Sequence, residues 1–214
     1  MESNEIIIEV NTKPYSDFKL YQRKKFTFTP GLTSLVGCNG SGKSTLIDQY
    51  LIPYLKDNGI ASINWNDRHQ GGSILMDKLL NVSGDIEGLA YMTLSSEGER
   101  ISYGLGSILG DIGKGIRQNK DKQFVVTLDA IDSGMSVDEI IQIRELFLDL
   151  IIPDAQHNNC ILYIVIAANN FEWCNDERIC NIDITNAKRT RFGSYENYKS
   201  FILNSRKIKD KLRE

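Results

Sequence analysis

The sequence predicts an α/β protein in which a mostly parallel sheet is covered by helices on both faces. Two continuous apolar runs, residues 124–128 and 161–167, have the composition of strands that are buried on both sides. Between them, residues 137–151 carry the periodicity of a helix. A further buried strand, residues 32–36, leads directly into a glycine-rich loop and then into a helix at 44–56. Strands and helices that alternate in this way form parallel sheets.

Two strands precede this unit. Residues 6–10 form an apolar run, and residues 25–29 alternate between apolar and polar side chains, as a half-exposed strand does. Pro30 and Gly31 then turn the chain into the next strand. The predicted fold therefore includes an N-terminal antiparallel β portion beside the parallel sheet.

The remaining segments are interpreted from their local patterns. Residues 60–65 predict a short strand, and residues 195–213 predict a long helix. The less regular segments are interpreted as helices at 74–81 and 97–109 and as polar or charged loops at 67–72 and 110–122. No internal repeat or heptad run is present, so we interpret residues 1–214 as a single domain that ends in a basic helix.

Composition excludes several classes of protein. The 214 residues include 41% hydrophobic and 25% charged residues, which is ordinary for a globular chain. No apolar run approaches the roughly 18–20 residues that span a bilayer, and the acidic N-terminus lacks the features of a secretion signal. The four cysteines form no CxxC pair and the chain has only two histidines, so reduced structural thiols are expected. We expect a cytoplasmic protein without a membrane partner.

Charge is distributed unevenly along the chain. The net charge is −3, yet residues 187–214 carry nine Lys/Arg against three Asp/Glu. A basic segment of this kind is a candidate for nucleic-acid binding, and a solvated helix face is the alternative interpretation. The candidate residues are Lys188, Arg189, Arg191, Arg206, Lys207, Lys209, Lys211 and Arg213.

Residues 37–44, which we name the phosphate loop, match the pattern GxxxxGK followed by Ser or Thr. Glycines allow successive backbone N–H groups to point at phosphate oxygens, and the following helix adds the positive end of its dipole. Lys43 can reach the β- and γ-phosphates, and the Ser44 hydroxyl can ligate Mg²⁺. The sequence therefore predicts an ATP and Mg²⁺ site rather than a chance glycine-rich turn. Its predicted binding residues are Gly37, Asn39, Gly40, Ser41, Gly42, Lys43, Ser44 and Thr45.

A second chemical motif follows the strand at 124–128, which ends in Asp129. An acid in this position is suited to hold Mg²⁺ at the carboxyl edge of the sheet. The sequence therefore predicts that the Asp129 carboxylate is a ligand of Mg²⁺.

The fuller string, GxNGxGKST, resembles the Walker A motif of ATP-binding-cassette ATPases, including the heads of SMC- and RecF-type proteins. The resemblance implies that Gln70 touches Mg²⁺ and the attacking water, although a surface-loop residue is the alternative. It also implies that Ser96 and Gly98 form the signature that binds the γ-phosphate of ATP held by a second head. The bare alternative for Ser96 is a helix cap, since Ser-x-x-Glu is also a capping box.

The same resemblance draws attention to Ala130. Relatives carry a glutamate here as the water-polarising base, and alanine cannot accept a proton. Asp132, Ser133 and Gly134 resemble the D-loop that crosses between heads. After the strand at 161–167, relatives usually carry a switch histidine, whereas this chain has Asn169. An asparagine amide can hydrogen-bond a γ-phosphate or a water but cannot carry a proton near neutral pH. Two explanations stay open: a natural ATP-gated clamp, or a glutamate replaced to trap the ATP-bound state. Only about two dozen residues separate Gln70 from the signature, which leaves no room for a coiled-coil arm.

The leading functional prediction is an ATPase head that dimerises around Mg·ATP with a second copy or a homologous head and hydrolyses slowly. Its setting would be a larger DNA-repair, defence or mobile-element machine. The alternatives are a non-catalytic ATP-sensing module that recruits a partner and a nucleic-acid-binding protein. A small-molecule kinase would make the signature and D-loop segments coincidences. Candidates for the adenine contact are Tyr15, Phe18 and Tyr21.

Overall fold

The computed structural model describes most of the chain. The described residues are 4–15, 18–66, 97–132, 135–167 and 169–213. The helix predicted at 74–81 and the loop predicted at 67–72 lie outside them. The predicted α/β architecture is confirmed, with a mostly parallel sheet and a separate antiparallel pair of strands.

The main sheet has six strands in the order β4-β5-β6-β3-β7-β8. The strands β3 to β7 run parallel to their neighbours, and β8 pairs antiparallel with β7. Their bounds are β3 Gly31–Val36, β4 Ala61–Asn66, β5 Gln123–Asp129, β6 Ile161–Ala167, β7 Cys180–Asp183 and β8 Arg189–Thr190. The sequence predicted the four longest of these strands. It did not predict β7 and β8, which are short and of mixed polarity.

An antiparallel pair of strands forms the predicted N-terminal β portion. Strand β1 spans Ile6–Glu9 and strand β2 spans Lys25–Phe28, with Ile6 opposite Phe28. Alternate side chains of both strands are buried, as their period-2 pattern requires. The pair therefore contributes one apolar face to the core.

The helix that follows the phosphate loop is interrupted by a wider turn. It consists of α1 Lys43–Leu46, a π-helical turn Ile47–Leu51, and α2 Ile52–Asp57. Pro53 lies in the first turn of α2, and a proline cannot donate the backbone hydrogen bond of a regular helix. The widened turn before Pro53 is the local response of the helix to that missing donor.

The same arrangement recurs later in the chain. Helix α4 spans Val137–Leu146, a π-helical turn spans Phe147–Ile151, and α5 spans Ile152–His157 with Pro153 in its first turn. The helix predicted at 137–151 is therefore present and continues for six more residues. Two helices of the fold thus change their pitch at the same distance before a proline.

The charged loop predicted at 110–122 is wrong, because helix α3 runs from Glu97 to Gln118. Its charged residues suggested a loop, but the helix continues through them, and one of its glycines has a packing role. A β-carbon at Gly115 would lie 2.3 Å from Cζ of Phe124 in strand β5. Glycine at that position allows the helix to approach the sheet closely.

Two hydrophobic clusters lie on opposite faces of the sheet, and strand β6 divides them by alternation. Ile164 and Ile166 belong to one cluster, which also contains Ile116 of α3. Tyr163 and Val165 belong to the other. This confirms that the central strands are buried on both faces, as their continuous apolar runs indicated.

The last helix, α6, spans Tyr195–Arg213, the bounds that the sequence predicted. Its Tyr198 packs with Val36 and Cys174 in a small third cluster. The helix thereby joins the end of β3, where the phosphate loop begins. Within the residues that the structure describes, no helix has both the length and the apolar character needed to cross a bilayer.

Candidate functional site

A pocket of about 230 Å³ lies at the carboxyl edge of the main sheet. It is formed where strands β3, β5 and β6 end, together with residues from the segment before β2. Nine of the residues predicted for the site line it. They are Asn39, Gly40, Gly42, Lys43, Ser44, Thr45, Asp129, Ala130 and Asn169. Parallel strands bring these distant segments to one edge, as the fold class requires.

The backbone of the phosphate loop has two glycines with positive φ, Gly40 at 74° and Gly42 at 101°. L-residues with a side chain adopt this region rarely. A β-carbon at Gly42 would also lie 2.7 Å from Cδ2 of Leu20. The buried hydroxyl of Tyr21 donates a hydrogen bond of 2.9 Å to the Gly42 carbonyl. The loop is therefore held by the segment that precedes β2.

Two predicted binding residues, Gly37 and Ser41, pack against each other within the phosphate loop. A β-carbon at Gly37 would lie 2.5 Å from Cγ2 of Ile184 and 2.7 Å from Oγ of Ser41. The Ser41 hydroxyl is buried and has no hydrogen-bond partner among the described residues. Neither residue lines the pocket, and the contacts that the structure gives them are packing contacts of the loop, so their role in binding stays a prediction.

Lys43 is buried, with 8% of its surface exposed. Its Nζ donates hydrogen bonds to the Gly37 carbonyl at 2.8 Å and to the Cys38 carbonyl at 3.4 Å. It also donates to Oδ1 of Asn169 at 3.0 Å. The ammonium group thus connects the phosphate loop with the segment after β6, as expected if both take part in one site.

Asp129 is buried at the end of β5. Its Oδ2 accepts a hydrogen bond of 3.1 Å from Nδ2 of Asn66, the last residue of β4. Local sequence patterns do not indicate Asn66 as a site residue. The sequence signal that could have found Asn66 is its position at the polar end of a predicted strand. The ends of parallel strands lie at the same edge of the sheet, so this end of β4 lies close to the end of β5.

Ala130 lines the pocket next to Asp129 with φ of 57°, and its N–H donates to the Ala167 carbonyl at 2.9 Å. Nearby, Oδ2 of Asp132 accepts hydrogen bonds from the backbone N–H groups of Asn169 at 2.7 Å and Asn170 at 2.6 Å. The segments after β5 and β6 are therefore fastened to each other beside the pocket.

The C-terminal helix α6 contacts the phosphate loop directly, which local sequence patterns did not indicate. The buried hydroxyl of Ser205 accepts a hydrogen bond of 3.2 Å from the Cys38 N–H. Nζ of Lys209 donates a hydrogen bond of 3.4 Å to the Asn39 carbonyl. These contacts join residues about 170 positions apart in the chain.

The same helix also reaches the segment after β6. The Tyr198 hydroxyl donates a hydrogen bond of 2.7 Å to the carbonyl of Asn169. Burial raises the pKa of Tyr198 above its ordinary value, so the phenol keeps the proton that it donates. Helix α6 therefore contacts both sides of the Lys43–Asn169 hydrogen bond.

The aromatic candidates differ in exposure. Tyr21 is fully buried, and burial raises the pKa of its hydroxyl, so it belongs to the core. Tyr15 is 43% exposed and lines the pocket, with its hydroxyl 3.4 Å from Oγ1 of Thr45. Gln49 donates to the same hydroxyl at 3.3 Å, and the Phe18 ring lies 5.9 Å from the Tyr15 ring. Tyr15 thus offers a ring at the mouth of the pocket.

Three predicted residues belong to the proposed contacts between heads or with the metal. Gln70 and Ser96 lie outside the described residues, and Gly98 lies in the first turn of α3. Among the described residues, no group of three or more His, Cys, Asp or Glu is placed to hold a metal. The pocket instead offers the Ser44 hydroxyl and the Asp129 carboxylate, which are the hard oxygen ligands that suit Mg²⁺.

Comparison with known proteins gives a short match in sequence. A family model described as an AAA domain matches residues 15–49, which contain Tyr15 and the whole phosphate loop. No curated protein matches the chain. The matched segment is therefore similar to an AAA domain in the part that carries the glycine-rich motif.

Two solved structures resemble the whole chain at low similarity. The ADP conformation of an ATP-binding cassette of an ABC transporter is 16% identical, with a TM-score of 0.45, and 98% of this chain and 99% of that chain are covered. A nucleotide-free ATP-binding cassette from an ABC transporter is 16% identical, with a TM-score of 0.43 and coverage of 95% and 97%.

Proposed function

We propose that this chain is a Mg·ATP-binding ATPase head of the ATP-binding-cassette class. The observation that carries the proposal is the single pocket that collects the phosphate loop, Asp129, Ala130 and Asn169 from three strand ends. A chance glycine-rich turn has no reason to lie beside a buried acid and an exposed amide at the same sheet edge. Motif order in the sequence and geometry in the fold thus support the same site.

The pocket fits a polyphosphate and a divalent cation. The positive φ of Gly40 and Gly42 gives the loop backbone the tight turn that directs N–H groups towards phosphate oxygens. Lys43 supplies the positive charge that neutralises the β- and γ-phosphates. Ser44 and Asp129 would hold Mg²⁺, and the Asn66 amide orients the Asp129 carboxylate through its 3.1 Å hydrogen bond. Bound Mg²⁺ would supply charge stabilisation to phosphoryl transfer.

Tyr15 is the residue proposed to contact the adenine base. Its ring is exposed at the pocket, whereas Tyr21 is buried in the core. Hydrogen bonds of its hydroxyl with Thr45 and Gln49 hold the ring close to the helix that follows the phosphate loop. An aromatic face presented in this way suits stacking on a purine.

Hydrolysis is proposed to be slow, because the pocket has a methyl group at the position of the general base. Ala130 cannot take a proton from water. Asn169 can hold a water or a phosphate oxygen by hydrogen bonds but is not a base. Loss of a general base reduces rates by about 10²–10⁴-fold.

Dimerisation around ATP belongs to the same proposal. Gln70, Ser96 and Gly98 would complete the site, the last two acting on ATP held by the other head. The second head would be a copy of this chain or a homologue, within a larger cytoplasmic DNA-repair, defence or mobile-element machine. This part of the proposal rests on the sequence motifs.

Nucleotide binding and sedimentation test the proposal together. The chain should bind a fluorescent ATP analogue with Mg²⁺ and sediment as a dimer when Mg·ATP is added. Lys43→Ala should abolish both effects, whereas Lys56→Ala, which removes an exposed lysine at the far end of α2, should change neither. Absence of nucleotide binding by the unaltered chain would overturn the proposal.

A second candidate is a non-catalytic module that senses ATP and recruits a partner. The observation that favours it is the direct contact of helix α6 with the phosphate loop through Ser205 and Lys209. A partner held by that helix would be linked to the nucleotide site without hydrolysis. Dimerisation by Mg·ATP alone favours the ATPase head, and assembly only when a partner is added favours the sensing module.

A further inference from the structure

Three basic segments that are distant in sequence share one surface of the molecule. They are residues 19–25, 186–191 and 206–213, and we name them together the basic surface. They contain twelve of the 25 Lys/Arg residues of the chain and one of its 28 Asp/Glu residues. Since the whole chain has a net charge of −3, this concentration is opposite in sign to the rest of the protein.

Backbone hydrogen bonds bring the three segments together. The N–H of Gln22 donates to the Thr185 carbonyl at 2.7 Å, which joins the first segment to the residues just before the second. The N–H of Lys19 donates to the Leu212 carbonyl at 3.2 Å, which joins the first segment to the end of helix α6. The first segment therefore lies between the other two.

The first two segments line a shallow pocket of about 490 Å³ on this surface. Four of its six lining residues are cations, namely Arg23, Lys24, Lys25 and Lys188, and the other two are Asn186 and Ala187. All four cations are exposed. Lys25 forms an exposed ion pair of 3.1 Å with Glu9, so Arg23, Lys24 and Lys188 provide most of the positive charge of the pocket.

We propose that the basic surface binds the phosphate backbone of double-stranded nucleic acid. A duplex presents about one negative charge per 1.7 Å of its axis. Its extended row of charges matches cations that are spread over three segments, whereas a compact anion could contact only a few of them. Arg23, Lys24 and Lys25 lie outside the C-terminal segment that charge patterning alone had suggested, so the fold enlarges that candidate surface. The proposal does not depend on the proposed nucleotide function.

Within the part of the chain that the structure describes, the basic surface has no large exposed apolar side chain, which favours a duplex over a single strand or a lipid surface. Large apolar side chains exposed among the described residues are Ile7, Tyr15, Val137, Leu150, Tyr195 and Leu203. None of these belongs to the three segments. Single-stranded nucleic acid is usually held by stacking on aromatic rings, and lipid surfaces by insertion of apolar side chains. The basic surface offers charge and guanidinium or ammonium donors instead.

Fluorescence anisotropy with a labelled DNA duplex tests the proposal. The full chain should bind the duplex, and Arg23→Gln/Lys24→Gln/Lys188→Gln should bind about 10- to 100-fold more weakly, with a salt slope smaller by about 2–3. The matched control is Lys56→Gln/Lys120→Gln/Lys122→Gln. It removes the same charge from exposed lysines outside the basic surface, and its affinity should stay close to that of the unaltered chain.

Several outcomes would overturn the proposal. Equal affinity of the two triple variants would show that the charge of the surface is not used. Binding of anionic lipid vesicles or polyglutamate, without binding of the duplex, would assign the surface to a lipid or an acidic protein. The thermal shift produced by Mg·ATP should be the same in both triple variants as in the unaltered chain. If the chain binds the duplex but not Mg·ATP, that result counts against the proposed ATPase and not against the basic surface.

Discussion

Ala130 and Asp129 line the same pocket, but only Asp129 carries a group that can act on a proton or a metal. We predict that Ala130→Glu raises ATP turnover by about 10²–10⁴-fold, because it supplies a general base. Alanine and glutamate both carry a β-carbon, so the strain of the positive φ at this position is similar in both. Steady-state phosphate release with Mg·ATP measures the effect.

The control for this change is Ala130→Gln, which has the size of glutamate without its basicity. The glutamine variant should stay as slow as the unaltered chain. Equal turnover in the two variants would show that position 130 is not the site of the base, and the assignment of the residue after Asp129 would then have to be abandoned.

Gly42 combines an unusual backbone conformation with a crowded environment. Gly42→Ala should lower the free energy of unfolding by about 1–2 kcal/mol for the left-handed φ and by about 1–3 kcal/mol more for contact with Leu20 and Tyr21. It should also weaken Mg·ATP binding, because the carbonyl of Gly42 is fixed by the Tyr21 hydroxyl. Urea unfolding and a thermal-shift titration measure the two effects.

Gly31 provides a matched comparison for Gly42. Its φ is 106°, close to that of Gly42, but a β-carbon there would meet no atom within 4 Å among the described residues. Gly31→Ala should therefore show only the backbone effect and leave the affinity for Mg·ATP unchanged. A loss of affinity as large as that of Gly42→Ala would mean that general destabilisation, rather than loop geometry, controls nucleotide binding.

Helix α6 acts on the site as an element, through a hydrogen bond from Cys38 to the buried Ser205 hydroxyl. Ser205→Ala leaves that N–H without its acceptor, and we predict a loss of about 1–3 kcal/mol in unfolding free energy together with weaker Mg·ATP binding. Ser200→Ala, on an exposed position of the same helix, should change neither quantity. An unchanged nucleotide affinity in Ser205→Ala would show that the helix supports the fold but not the site.

The elements predicted from sequence are those in which local pattern and burial agree. The central strands β5 and β6 have continuous apolar runs, and the structure buries them on both faces. Strands β7 and β8 were missed because four- and two-residue strands of mixed polarity carry little periodicity. The extension of α3 was missed because Gly115 lowers helix propensity, while its contact with Phe124 is tertiary.

The site residues likewise fall into those that local sequence indicates and those that depend on tertiary contacts. Residues of the phosphate loop and Asp129 could be predicted, since their spacing along the chain reflects the chemistry directly. Asn66 could be predicted only as a polar residue at the same sheet edge, because its contact with Asp129 depends on the pairing of β4 with β5. Ser205 could not be predicted, because it reaches the site by packing between segments far apart in sequence. The resemblance indicated Asn169 as a site residue, and the hydrogen bond that Lys43 donates to it is visible only in the structure.

At the scale of the whole molecule, the sheet separates two apolar clusters that share its three central strands, β3, β5 and β6. One cluster contains both tryptophans of the chain, Trp65 and Trp173, and the other contains none. Because strands β3, β5 and β6 contribute side chains to both clusters, loss of either cluster should weaken the centre of the sheet. We therefore propose that the chain unfolds as a single domain, and the position of the tryptophans makes this testable.

Leu55 and Ile116 are both fully buried, on opposite faces of the sheet. Replacing either residue by alanine should lower the unfolding free energy by about 2–5 kcal/mol. If the sheet couples the clusters, Leu55→Ala shifts the tryptophan fluorescence transition in urea as far as it shifts the circular dichroism transition, although both tryptophans lie on the other face. Leu203→Ala, at an exposed position, should change stability by less than about 0.5 kcal/mol. A fluorescence transition that responds to Ile116→Ala but not to Leu55→Ala would mean that the two faces unfold separately and that the chain is not one cooperative domain.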